Sequence, residues 1–226
     1  LNRNWNPMNF YQQLQQATAG ERASLLSTPL ITAAMAGRVK RQHYLDFLSR
    51  AYHHVKHTVP LLMACGARLP DRQDWLRSAV AHYIEEEIGH HEWILNDIAA
   101  AGGDAEAVRA SQADFDTDLM VAYAYDTVMR RNPVGLFGMV YVLEGTSVSL
   151  ASNAAHALQA ALGLTPSAFT YLSSHGALDA EHIGDFERLV NRLDTTDDRD
   201  SVVQNARAFF RLYGNVFRSI DLEETP

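Results

Sequence analysis

Along most of the chain apolar residues recur every three to four positions, the spacing of one helical face, and the alternation of a half-buried strand is nearly absent. Asn6-Pro7 precedes a first helical stretch that Ala19-Gly20 closes, and a second is expected from near Glu21 to Gly37. From Gln42 to Cys65, Tyr44, Phe47, Ala51, Val55 and Leu62 mark one core-facing stripe, which Pro60 should kink and Gly66 help to end. The pattern continues from Asp71 to Ala101, where Gly102-Gly103 stops it, and restarts at Asp104 to run to about Arg131. Asn132-Pro133 opens the next helix with proline at its first turn, and Gly163 ends it. Thr165-Pro166 opens another, and Asp197-Asp198 the last. No internal repeat, linker or composition break divides the chain. The expectation is one all-α domain over residues 1–226, a bundle of about seven helices.

Composition narrows the function classes. The 226 residues are 47% hydrophobic and 20% charged, enough to bury a substantial core. A net charge of −8, with no cluster of lysine and arginine to offset it, argues against a nucleic-acid surface. Cys65 is the only cysteine, so neither an intrachain disulfide nor a CxxC zinc site is available. No signal peptide and no membrane-spanning apolar run are expected, which makes a soluble cytoplasmic protein the default.

Three places carry candidate chemistry. In Tyr171–Val190, His175, Asp179 and His182 follow at spacings of four and three. At about 100° per residue they fall within roughly 60° of one another on a helix. Leu172, Leu178, Phe186 and Leu189 lie close to that face, which suggests that it turns inward. A carboxylate between two imidazoles is costly to bury unless a cation joins them, and a divalent metal takes both ligand types. A solvated polar stripe is the plain alternative.

The second place is Tyr83–Asp97, where Glu87 and His90 form the E-x-x-H pair of two-metal helix bundles. On an unbroken helix Ile84, Ile94 and Ile98 share a face with Glu87 and His91. Glu87 is then inward, Glu85 outward, Glu86 with His90 a competing pair, and the two histidines are not separated. The third is Glu144, the only charge between Arg131 and Asp179. A carboxylate isolated in so apolar a helix should be buried and therefore paired, protonated or metal-bound. Gly145 beside it leaves room for another helix or a ligand to approach. Three carboxylates and three neutral histidines against two divalent cations leave a residual charge of about +1, which hydroxide or a substrate carboxylate would balance. Mixed imidazole and carboxylate without thiolate suits iron or manganese better than structural zinc.

Glu87-Ile-Gly-His90, Glu144-Gly145 and His175-x3-Asp179-x2-His182, in that order, resemble the haem-oxygenase-like dimetal oxidases, also called iron-containing redox enzymes. Tyr44-Leu-Asp-Phe47 and the Tyr52-His-His-Val segment extend the likeness over most of the chain. The resemblance implies a seven-helix haem-oxygenase-like fold, often a homodimer, and a non-haem diiron centre that activates O2 on a small organic substrate. By that likeness the metal ligands are Glu87, His90, Glu144, His175, Asp179 and His182, with Glu87, Glu144 and Asp179 as the catalytic carboxylates. The first element departs from it, because many members put a longer interval and an irregular turn between acid and histidine. Thiaminase-II-like and pyrroloquinoline-quinone-synthase-like enzymes, both metal-free, share the fold pattern, and Cys65 lacks the nucleophile motif of the former. A true haem oxygenase fits poorly, since no histidine precedes His43. A non-catalytic helical binding protein is the remaining alternative.

Overall fold

The computed structural model describes residues 8–223, and the side chains of residues 175–182 lie outside that description. Twelve α-helical segments occur among the described residues, joined by turns and three single-turn 3-10 helices, and no strand is among them. They are α1 (Phe10–Ala17), α2 (Ala19–Leu26), α3 (Pro29–Met35), α4 (Arg41–Val55), α5 (Thr58–Arg68), α6 (Asp74–Glu87), α7 (His90–Ala100), α8 (Ala105–Ala110), α9 (Phe115–Arg130), α10 (Leu136–Leu162), α11 (Thr170–Val190) and α12 (Thr196–Arg218). The fold is all-α, with more and shorter helices than the expected seven.

Each extra boundary has a local cause. The stripe from Gln42 to Cys65 breaks at Lys56-His57, ahead of Pro60, so the proline sits in the first turn of α5 rather than kinking a continuous rod. Asp114 ends the run from Asp104 by capping α9, its carboxylate accepting from the backbone N–H groups of Asp116 and Thr117. Gly20 closes nothing and lies inside α2. Between α6 and α7 the chain leaves the helix at Ile88 (ψ 121°) and passes through Gly89 at φ +90°, a left-handed conformation that glycine adopts without a Cβ clash.

The long α10 is the axis of the packing. It lies against α11 along much of its length, against α12, and against α3. A Cβ on Gly138 would come within 2.6 Å of the Val202 carbonyl oxygen and the Ala206 nitrogen, so that glycine lets the α10 and α12 backbones meet. Residues 133–162 are long and apolar enough to cross a membrane, with a mean hydropathy of 1.5 in the best window. This corrects the expectation that no such run exists. In the structure 56% of that window is buried. Phe137 on α10, and Phe169, Phe186 and Phe209 elsewhere in the bundle, are fully buried.

Two buried carboxylates fasten the bundle. Asp97 on α7 accepts from the backbone N–H groups of Thr170 (3.0 Å) and Tyr171 (2.8 Å), so it serves α11 as an N-cap supplied by another helix. Asp198 on α12 takes bonds from Arg72 and Gln73 (both 2.8 Å), Asn132 (2.9 Å) and Thr195 (2.7 Å), tying two turns to the start of α12.

Candidate functional site

Glu87 is the last residue of α6 and His90 the first of α7, so they do not meet as an i,i+3 pair on one helix. The break brings them together instead, with Glu87 Oε2 3.2 Å from His90 Nδ1 and their side chains 14% and 5% exposed. At this separation a carboxylate and an imidazole share a proton or face one cation. Trp93, one turn on, stacks on the His90 ring at 4.0 Å and fixes its plane.

The break also ends the helical phase that set Ile84 and Glu87 on one face with His91, Ile94 and Ile98. A wheel carried across Gly89 is not valid. Within α7 alone the buried residues are His90, Ile94, Leu95, Asp97 and Ile98. His91 is more exposed, lies 3.3 Å from Glu92 and approaches the Tyr52 ring. Glu86 turns to His82 at 3.2 Å, in a shallow recess outside the main cavity. The structure thus pairs Glu87 with His90 on the inside and turns Glu86 and His91 elsewhere.

Glu144 lies in the middle of α10, and one of its carboxylate oxygens is shielded from solvent. A Cβ added at Gly145 meets nothing within 4 Å among the described residues. Glu87 and Glu144 line one cavity of about 160 Å³, built from α3, α4, α5, α6, α10, α11 and α12. Its walls are mainly aliphatic and aromatic, and no lysine or arginine is among its described lining residues. Tyr83 and Tyr171 also line it, whereas Tyr141 packs away from it against Tyr11, Phe186 and Phe210.

His175, Asp179 and His182 fall on α11, and their side chains are outside the described residues. That helix packs on both α10, which carries Glu144, and α7, which begins with His90. Among the described residues no three His, Cys, Asp or Glu side chains form a group able to hold a metal ion.

His54, in the Tyr52-His-His-Val segment of α4, lines the cavity. Two further lining residues were not singled out by the sequence: His43, also on α4, and Ser147, one turn from Glu144. The Ser147 hydroxyl is buried with no hydrogen-bond partner among the described residues. Asp97 was legible only as a lone acid among the apolar positions of α7. Cys65 is fully buried, donates to the Pro133 carbonyl at 3.4 Å and does not line the cavity, and burial pushes its thiol up to about 12. It is an inert core thiol. His53 and His57 lie outside the cavity lining, and burial, assisted by the Lys56 ammonium, pushes both below the ordinary imidazole range.

The sequence profile of a family described as iron-containing redox enzyme matches residues 45–214, from α4 into α12, and spans Glu87, His90 and Glu144. The chain belongs to the iron-containing redox enzyme family. Among solved structures it is similar to a domain of unknown function with a heme oxygenase-like fold from Shewanella denitrificans, at 26% identity and TM-score 0.82, over 95% of this chain and 93% of that one. A TenA homologue from Pseudomonas syringae superposes with TM-score 0.77 at 14% identity, over 93% and 91%. Heme oxygenase-1 from Synechocystis in complex with heme does so with TM-score 0.74 at 12% identity, over 95% and 93%. These likenesses establish the heme oxygenase-like fold. No curated protein matches the chain in sequence.

Proposed function

We propose that this family member is a non-haem, dimetal O2-activating oxidase or oxygenase of a small, largely apolar organic molecule, with iron as the metal and manganese as the alternative. The observation that carries the reading is the pairing of Glu87 with His90 across the Gly89 break, with Glu87 lining a cavity that Glu144 also lines and to which no described lysine or arginine contributes. Two carboxylates facing so apolar a space favour cations among them. The donor chemistry fits: Glu87, His90 and Glu144 would hold the metals, together with His175, Asp179 and His182 of α11. Bound there, the metals would supply the reduction of dioxygen and the removal of hydrogen or insertion of oxygen.

The chain's own residues do the rest. Trp93 holds the His90 ring in plane, so the imidazole keeps one orientation toward Glu87. Tyr83 and Tyr171 present hydroxyl-bearing rings to the cavity. The aliphatic wall of α10 keeps water away from the carboxylates, which strengthens every electrostatic contact inside. We place the protein in the cytoplasm as a homodimer, with a small molecule and O2 as partners and no nucleic acid or membrane.

Anaerobic loading with Fe(II), followed by elemental analysis, tests the reading: about two ions per chain are expected, and a stoichiometry near zero overturns it. A metal-free reaction of the pyrroloquinoline-quinone-synthase type is the second reading, favoured by His43 and His54 on the cavity wall. The thiaminase-like reading loses support because Cys65 is buried away from the cavity.

A further inference from the structure

The helix that carries His175, Asp179 and His182 does not cap itself. α11 starts at Thr170, and its N-cap residue is Phe169, whose side chain cannot accept a hydrogen bond. Its first backbone donors are met by Asp97 of α7 instead. The Thr170 N–H reaches one carboxylate oxygen at 3.0 Å and the Tyr171 N–H the other at 2.8 Å, while the Thr170 hydroxyl donates to the first. Just before the helix, the Ala168 carbonyl accepts the Tyr44 hydroxyl of α4 at 2.7 Å. The turn into α11 is thus held from two sides, by an acceptor on α7 and a donor on α4. Asp97 is fully buried, and among the described residues no lysine, arginine or histidine pairs with it.

The direction of α11 follows from its other contacts. Farther along it, Asp185 and Leu189 share a recess with Ala79, His82, Tyr83 and Glu86 of α6. α6 ends at Glu87, which stands 3.2 Å from His90 at the start of α7. α11 therefore begins beside the far part of α7 and runs back past its start, antiparallel to it. Asp97 follows His90 by seven residues, which puts both on one face of α7 about 10 Å apart along its axis. The same distance along α11 from Tyr171 reaches Leu178, beside Asp179, with His175 and His182 one turn to either side of that acid. A slip of one residue would move α11 by about 1.5 Å and turn it by about 100°, enough to carry an acid off the shared face.

We propose that Asp97 is the positioning residue that sets the register of α11 on α7, so that His175, Asp179 and His182 arrive level with His90. Burying a charge adds little net stability, so its use here is the arrangement it fixes. This inference rests on the oxidase reading for what those residues hold, but not for the register itself.

Three variants test it. Asp97→Asn keeps the volume and sets an amide NH2 against one of the two backbone N–H donors. Thr170→Val, at an exposed position, removes only the hydroxyl bond and decides the matter if Asp97→Asn does not fold. Asp198→Asn is the control, a second buried carboxylate whose partners Arg72, Gln73, Asn132 and Thr195 all lie outside α7 and α11. Equilibrium dialysis with Fe(II) should show binding weakened about 10- to 100-fold in Asp97→Asn and about threefold in Thr170→Val. Asp198→Asn should stay within about twofold of the parent although it unfolds at lower urea, an order that a general loss of stability does not produce. In metal-free protein the amides of α11 should exchange with deuterium faster in Asp97→Asn and at the parent's rate in Asp198→Asn. Iron affinity that ignores Asp97→Asn and Thr170→Val, or that falls as far in Asp198→Asn, would overturn the assignment. A parent that takes up no iron removes the oxidase reading, and amide exchange then decides the register alone: faster exchange confined to Asp97→Asn keeps it, and unchanged exchange removes it.

Discussion

At the scale of single residues, the chemistry rests on which of two adjacent histidines faces inward. The structure places His90 against Glu87 and buries it, and leaves His91 partly exposed beside Glu92. His90→Ala should therefore weaken iron binding by about 100-fold or more and lower the loaded stoichiometry. His91→Ala should stay within about tenfold, the scale of an outer-shell change. Equilibrium dialysis with Fe(II) separates them, and the reverse ranking would move the site by one residue. Glu144→Ala should lose metal as well, while the apo protein keeps or gains stability because a shielded charge is removed. Among the described residues Gly145→Ala touches nothing within 4 Å, and it raises helix propensity, so a gain of up to about 1 kcal/mol is expected in urea unfolding. A loss there would reveal that something approaches α10 at this point.

At the scale of elements, the site depends on a turn that the hydrophobic pattern conceals. Gly89 at φ +90° ends the helical phase of α6 and starts a new one in α7. Gly89→Ala puts a Cβ into the left-handed region at about 1–2 kcal/mol. The cheaper response, a straightened α6–α7, would separate Glu87 from His90. Calorimetry should show a modest drop in Tm with a much larger loss of iron affinity. A variant with the parent's iron affinity would mean that the break is incidental to the site.

The boundaries that residue chemistry announces directly were legible: Asn132-Pro133 ahead of α10, Gly163 after it, and Asp197-Asp198 in the first turn of α12, which begins at Thr196. Glu144 was legible for a related reason, since one acid in a long apolar run has few environments open to it. Breaks at Lys56-His57 and Ile88-Gly89 were not, because Pro60 reads as a kink within one helix and a single glycine leaves the apolar stripe looking continuous. The place of His43 on the cavity wall escaped the sequence altogether, because α3, α4 and α10 come together around the cavity only in the folded chain.

At the scale of the whole molecule, two buried carboxylates with opposite pH behaviour hold distant segments together. Burial pushes Asp97 above the ordinary carboxylate range, against the opposing pull of the hydrogen bonds from Thr170 and Tyr171. Its folded form binds a proton more readily than its unfolded form, so its contribution to stability is present at low pH and declines as pH rises through its folded pKa. Burial also pushes Asp198 upward, but the hydrogen bonds from Arg72, Asn132 and Thr195 outweigh it and hold the carboxyl down to about 2. That group contributes its stability above the unfolded value of about 4 and loses it as pH falls toward 2. A depression of this size corresponds to roughly 2 kcal/mol, somewhat less because the Arg72 side chain is 49% exposed and screened. Urea unfolding between pH 6 and 2 should show stability falling on the acid side, and Asp198→Asn should start lower and flatten that limb. Asp97→Asn should leave the limb in place, since the Asp97 proton moves the curve in the other direction. An acid limb unchanged in Asp198→Asn would assign it to other carboxylates. The turns at Arg72-Gln73 and Asn132 would then be held to α12 by packing rather than by charge.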